Sequence, residues 1–164
     1  MFRYGQTDAT LLGGEARLTL SPLPRLTIRG RGEFVRGTDD RNHHPLPLIP
    51  PLRGALEAEL HSLQLGWLEN GRIGAELELV ARQGRLGSYT IPGQATTVFD
   101  LATSGYTLLN LQSGGTHRFG GRELAIDLEV RNLANARYRD YLSRYKEFAL
   151  NPGRNIVLRL AMDF

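Results

Sequence analysis

Apolar and polar residues alternate with a period of two along most of this chain, the period of a strand with one apolar face. In residues 9–20, Ala16, Leu18 and Leu20 stand opposite Glu15, Arg17 and Thr19. Residues 25–36 set Leu26, Ile28 and Phe34 against Arg25, Arg29, Arg31 and Glu33. Residues 53–67 alternate Leu56, Ala58 and Leu60 with Glu57, Glu59 and His61. The phase then shifts to Leu63, Leu65 and Trp67, which predicts a bulge near His61 and Ser62. Residues 72–83 place Ile73, Ala75, Leu77, Leu79 and Ala81 against Glu76, Glu78 and Arg82. Further strands are predicted at about 104–118 and 122–132, the latter with Leu124, Ile126, Leu128 and Val130 on one side. The last, 154–164, alternates Ile156, Leu158, Leu160, Met162 and Phe164 with Val157, Arg159, Ala161 and Asp163.

The breaks between these runs follow a rule. Ser21-Pro22-Leu23-Pro24, Glu69-Asn70-Gly71 and Phe119-Gly120-Gly121 read as tight turns, whereas 38–51, 84–102 and 134–152 are long, the last with room for a helical turn. Short and long connections therefore alternate along about seven strands. Strands of 11 or more residues exceed the usual globular length of about 5–6 and meet the roughly 9–11 that a tilted membrane strand requires. The fold class expected is all-β, with antiparallel transmembrane β-barrel strands, short periplasmic turns and long extracellular loops. The aliphatic face would then meet lipid and the charged face a polar lumen. Phe34, Trp67, Tyr106, Phe119, Tyr138 and Phe164 lie near strand ends, as interfacial aromatics do. Two alternatives share this pattern. One is a soluble β-sandwich binding module; the other is a small self-contained outer-membrane barrel (an adhesin or structural protein) that uses residues 1–8 as an extra strand.

Composition changes the picture mainly by exclusion. The 164 residues suffice for one domain with a core. The net charge of +3 is scattered, without a basic run or stacking motif, so nucleic acid is not an expected partner. There is no cysteine, hence no disulfide framework or Cys-based zinc site. No secretory leader and no run of about 18 apolar residues is visible, which speaks only to helical membrane proteins.

The segment LAIDLEVRNLANARYRDYLSRYKEFALNPGRNIVLRLAMDF resembles the C-terminal end of a TonB-dependent outer-membrane receptor. The likeness rests on Arg131-Asn132-Leu133, an Ala-rich turn with Tyr138, then Pro152-Gly153-Arg154-Asn155 and a final strand closing on Phe164. Gln6-x-Asp8-Ala9, Gly13-Gly14-Glu15, PLPLIPPLR at 45–53 and Thr103-x-Gly105-Tyr106-Thr107 are similar to the metal-uptake branch of that family. Tyr141 departs from it, since relatives often carry His there. The resemblance implies that residues 1–164 are the C-terminal segment of a 22-stranded barrel domain, without its plug, in the bacterial outer membrane. It implies import of a scarce nutrient (zinc, a ferric siderophore or haem) with no resident cofactor. The implied partners are outer-membrane lipid, the barrel assembly machinery, and TonB through a missing N-terminal region. Phe164, with Met162, Leu160 and Leu158, would be the assembly signal; Pro152, Gly153, Arg154 and Asn155 would form the barrel-closing turn. Arg154, following Pro-Gly, reads as architectural, positioning the start of the last strand and pairing with a lumen carboxylate.

Few residues suggest chemistry. Asp39, Asp40, His43 and His44 share a loop, and imidazole with carboxylate suits zinc and similar ions. Adjacent histidines need a third ligand from elsewhere, and the same residues make an ordinary solvated turn. His61 and His117 read as lumen or interface residues. Asp100, Ser104 and His117 lack the spacing of a nucleophile elbow, so no enzyme activity is expected. Gly30-Arg31-Gly32 reads as a site of barrel curvature, or of close approach by something in the lumen, rather than a phosphate loop, since no helix follows it.

Overall fold

The computed structural model describes residues 8–89, 97–98 and 100–162. Among the described residues there are nine strands: β1 (Ala9–Leu23), β2 (Leu26–Asp39), β3 (Arg53–Leu65), β4 (Leu68–Val80), β5 (Ser88–Tyr89), β6 (Thr97–Val98), β7 (Tyr106–Phe119), β8 (Arg122–Arg131) and β9 (Asn155–Met162). Seven form one antiparallel sheet in the order β1-β2-β3-β4-β7-β8-β9, a meander in which each strand pairs with its nearest long neighbour in sequence. The strands β5 and β6 make a small separate ribbon inside the stretch expected to be irregular. No helix of the described residues is long and apolar enough to cross a membrane, which says nothing of strands.

The register carries the alternation across the whole sheet. Leu18 pairs with Gly30, Gly30 with Leu56, Leu56 with Leu77 and Leu77 with Leu109. Leu111 then pairs with Val130 and Val130 with Ile156. One continuous apolar face results, and its opposite holds the Glu and Arg residues. Exposure is inverted relative to a water-soluble sheet: Leu56 is 55% and Leu158 60% exposed, while the side chain of Glu59 is only 16% exposed. A sheet concave toward its charged face produces this, because charged side chains crowd together and aliphatic ones splay outward. In water the uncovered aliphatic face would cost about 25 cal/mol per Å², so it requires an apolar medium or a covering layer.

Two turns fall elsewhere than the sequence suggests. The first reversal is at Pro24–Arg25, because β1 continues through a bulge at Ser21–Pro22, where a missing N–H costs no ladder bond. The β3–β4 reversal is at Gly66–Trp67, with Gly66 at φ +61°, not at Glu69-Asn70-Gly71. The expected bulge at His61–Ser62 is present, with Ser62 at φ 56°. Glu69–Asn70 forms a second bulge on the partner strand, and Asn70 takes φ 50° there. The Asn-Gly signal was thus a genuine demand for positive φ, used to restore register. Gly120 and Gly121 form the third reversal as expected, both at positive φ. All three short turns lie at one end of the meander and the long connections at the other. Asp163 and Phe164, and with Phe164 part of the expected assembly signal, lie outside the described residues, as do residues 1–7.

Candidate functional site

The charged face is cross-linked from strand to strand. Arg29 on β2 pairs with Glu57 at 3.1 Å and Glu59 at 3.5 Å on β3. Arg31 reaches past β3 to Glu76 on β4 at 3.0 Å, and Asn110 of β7 donates to the same carboxylate at 3.0 Å. Gln112 of β7 donates to Glu57 at 2.8 Å. Glycine makes these long reaches sterically feasible: a Cβ on Gly74 would meet Gln112 Nε2 at 2.8 Å, and one on Gly114 would overlap Asp127 where it pairs with Arg72. Arg131 and Arg159 meet Glu129 at the far edge. Individually such solvent-screened pairs contribute little, but as a network they hold polar groups in a face-wide lattice.

The long connections are built into one cap, and its centre is the only large side chain that is fully buried among the described residues. Tyr141, 1% exposed, lies in the β8–β9 loop. Its hydroxyl donates to Asp100 Oδ2 in the β4–β7 connection. Lys146 Nζ pairs with Asp100, donates to Tyr141 O at 2.7 Å and sits 3.9 Å from the Tyr141 ring centroid. Burial alone would raise the Asp100 carboxyl, but hydrogen bonds from Lys146, Tyr141 and the Leu101 N–H outweigh it and hold it below the ordinary aspartate value. Tyr141 is raised in turn, first by burial and then by the carboxylate it serves. The β2–β3 loop joins the same cap: Gln83 Nε2 donates to Ile49 O at 2.8 Å, and a Cβ on Gly87 would strike Pro47 at 2.6 Å. Sequence reasoning missed this cluster, because Asp100 and Lys146 belong to different loops and neither carries a local motif.

Of the residues singled out from sequence, Asp39, Asp40, His43 and His44 do share one turn. Asp39 accepts from Arg41 N at 2.8 Å and Asn42 Nδ2 at 3.0 Å, and His44 Nδ1 is 2.8 Å from Ser88 Oγ. No group of three or more His, Asp or Glu converges on a metal-sized space among the described residues. His117 packs edge-on against Trp67 and donates from Nδ1 to Trp67 O at 3.0 Å, at the short-turn end. Asp100 therefore has Lys146 and Tyr141 as partners, not His117. His61 lies 3.4 Å from Thr27 Oγ1. Arg154 fixes the loop backbone just ahead of β9, the architectural half of its expected role: its Nε donates to Leu133 O at 2.9 Å and its N–H to Asn135 Oδ1, and among the described residues it pairs with no carboxylate. The turn before β9 explains its glycine, since a Cβ on Gly153 would meet Asn135 Oδ1 at 2.6 Å. Asn132 anchors the other end of that loop, bonding Ala136 through both its amide oxygen and nitrogen.

No protein-family model matches the sequence, and no curated protein matches it. Among solved structures the chain is similar to one described as "Copper transporter OprC", with 17% identity and a TM-score of 0.73. The match covers 94% of this chain and 24% of that one, so the chain spans about a quarter of that protein's length. At this identity the likeness is one of fold: the seven-stranded sheet has the architecture of a section of that protein.

Proposed function

We propose that this chain forms part of the barrel wall of an outer-membrane receptor that imports a metal ion or metal complex. The observation that carries the reading is the inversion of exposure, with an unbroken aliphatic face outside and a lattice of ion pairs inside. Lipid satisfies the first and a polar lumen the second. The alternation of short turns and long connections supports it; on this reading the cap of long loops lies outside the cell. The resemblance of Pro152-Gly153-Arg154-Asn155 and the strand after it to TonB-dependent receptors supports a C-terminal position in such a barrel. On this reading TonB acts through a region N-terminal to it, and Phe164 marks the strand for the assembly machinery. A closed barrel also supplies partners for the outer edges of β1 and β9, which have none among the described residues and which lipid does not tolerate unpaired.

Uptake of radiolabelled copper and zinc by cells lacking the protein tests the reading. The expected result is a loss of energy-dependent uptake of at least one metal, restored by the intact gene. Unchanged uptake of both removes the metal-import reading. The same assay weighs Asp39, Asp40, His43 and His44, proposed as a capture point completed by a ligand from beyond the described residues. Complementation with His43→Ala/His44→Ala should lower uptake at limiting metal several-fold, and full uptake would strike these residues from the site.

A further inference from the structure

The aliphatic face is dented toward its long-loop end. By register, Ala16, Gly32, Gly54, Leu79 and Thr107 form one row across β1, β2, β3, β4 and β7. Two glycines side by side lower the surface to bare backbone, and a Cβ on Gly32 would meet only Arg53 O, at 3.9 Å. Phe34, the next residue on this face of β2, does not cover the gap. Its ring lies over Gly14 of β1, where a Cβ would meet Phe34 Cε1 at 3.0 Å. What remains is a hollow of about 620 Å³ bordered by Leu52, Leu79, Ala81 and Thr107. Such a gap forfeits dispersion contacts unless a chain from outside fills it.

Beyond the hollow the same face turns cationic. Arg36 follows Gly32 and Phe34 by alternation, about 13 Å from Gly32 toward the long loops. Gly37 faces the other way, and a Cβ there would meet Ile49 and Leu46 of the β2–β3 loop at 2.9 and 3.0 Å. That loop therefore covers the charged side and leaves Arg36 outward and exposed. Arg36 has no ion pair or hydrogen bond among the described residues. Thr38, next on this face, accepts from Arg85 Nη2 at 3.4 Å, and Arg85 meets no carboxylate among the described residues either. From Leu26 to Thr38 this face of β2 carries no acid. A guanidinium that merely snorkels to water needs no second cation beside it. Two without a counter-charge favour an anion, and phosphate oxygens match the guanidinium fork.

We propose that Arg36, Arg85 and the hollow over Gly32 and Gly54 hold one molecule, a lipid of the surrounding leaflet whose phosphate carries no cation of its own. The phosphate lies on the guanidinium groups and an acyl chain descends into the hollow. The headgroup layer on each side of a bilayer is about 5–7 Å deep, so with Arg36 among headgroups the hollow sits at acyl depth. The proposal rests on the barrel-wall reading and adds to it a lipid partner of defined charge.

The intact receptor is prepared in phosphatidylcholine vesicles with Leu109→Cys as a fluorophore-labelled probe. Leu109 is the residue after Thr107 on this face of β7, and the chain described here has no other cysteine. Phosphatidylglycerol or phosphatidylcholine with brominated acyl chains is then titrated in. Brominated phosphatidylglycerol should quench half-maximally at a mole fraction several-fold below that of brominated phosphatidylcholine. Arg36→Gln/Arg85→Gln should erase the difference and Arg36→Lys/Arg85→Lys should keep it, the folded band on cold SDS gels showing that each variant has assembled. Gly32→Leu, which fills the hollow from within, should bring phosphatidylglycerol down to the level of phosphatidylcholine. Equal quenching by the two lipids in the parent, or a preference that survives the Gln or Gly32→Leu substitutions, overturns the proposal while leaving the wall in lipid. Quenching by neither lipid contradicts the barrel-wall reading and removes the proposal with it.

Discussion

Asp100→Ala is expected to release the loop cap, lowering the free energy that protects the β8–β9 loop by about 3–5 kcal/mol, because it strands a buried ammonium. Lys146 is almost fully enclosed, and without Asp100 it keeps only the Tyr141 carbonyl and the face of the Tyr141 ring. Protection of the loop amides against hydrogen exchange should fall accordingly, and trypsin should gain access at Arg144, while amides of β3 and β4 keep their protection. Asp100→Leu combined with Lys146→Met should recover much of the loss, since an apolar pair of similar volume replaces a buried ion pair at little cost. The pH dependence has a defined sign. A carboxyl depressed in the folded state stabilises fully above its ordinary value of 3.8, and that contribution is lost as pH falls through the lower folded value. Tyr141, raised above the ordinary tyrosine value of 10.0, keeps the proton it donates, and its contribution is complete below that pH and lost only above it. The cap should therefore stay closed through the neutral range and open in acid. Equal protection at neutral pH and well below the aspartate range contradicts this.

A charge placed on the aliphatic face should be the more damaging change for assembly. Leu56 sits mid-strand in β3, between Gly30 of β2 and Leu77 of β4. On the barrel-wall proposal, Leu56→Arg puts a guanidinium toward lipid, a cost of roughly 2–4 kcal/mol near the bilayer midplane. Its neighbour gives the control. Glu57→Gln keeps the hydrogen-bonding shape toward Gln112 and weakens one partly exposed pair with Arg29, an effect of at most about 1 kcal/mol. The fraction of protein that runs as the folded, heat-modifiable band on cold SDS gels should collapse for Leu56→Arg and stay near the parent for Glu57→Gln. Comparable behaviour of the two would mean that both faces see water.

How much of this was legible beforehand varied with the range of the interaction. The strands were legible because alternation is local: Leu56, Ala58 and Leu60 against Glu57 and Glu59 needs no knowledge of a partner. The bulge at His61–Ser62 announced itself by a change of phase. Asn70-Gly71 misled because positive φ serves turns and bulges alike, and only the pairing of Leu63 with Gly71 distinguishes them. Arg154 was half legible: following Pro-Gly it marks an architectural position, but in place of the carboxylate that a charged wall suggests, its Nε donates to the Leu133 carbonyl. The Asp100–Tyr141–Lys146 cluster was invisible because it closes between two loops whose sequences carry no periodicity. In the sequence Tyr141 stands out only as a departure from a family pattern; burial at the centre of the cap gives it a structural role of its own.

On the proposed reading, the aliphatic face of this sheet meets lipid and the charged face meets water. Single cysteines introduced at successive positions from Leu56 to Leu60 in the cysteine-free chain test it most directly. Each would be labelled with a polarity-sensitive fluorophore in protein inserted in membranes, then quenched in turn by aqueous iodide and by brominated lipid. Positions 56, 58 and 60 should be quenched by the brominated lipid and shielded from iodide, and positions 57 and 59 should show the reverse. Uniform access of iodide to all five positions would contradict the account.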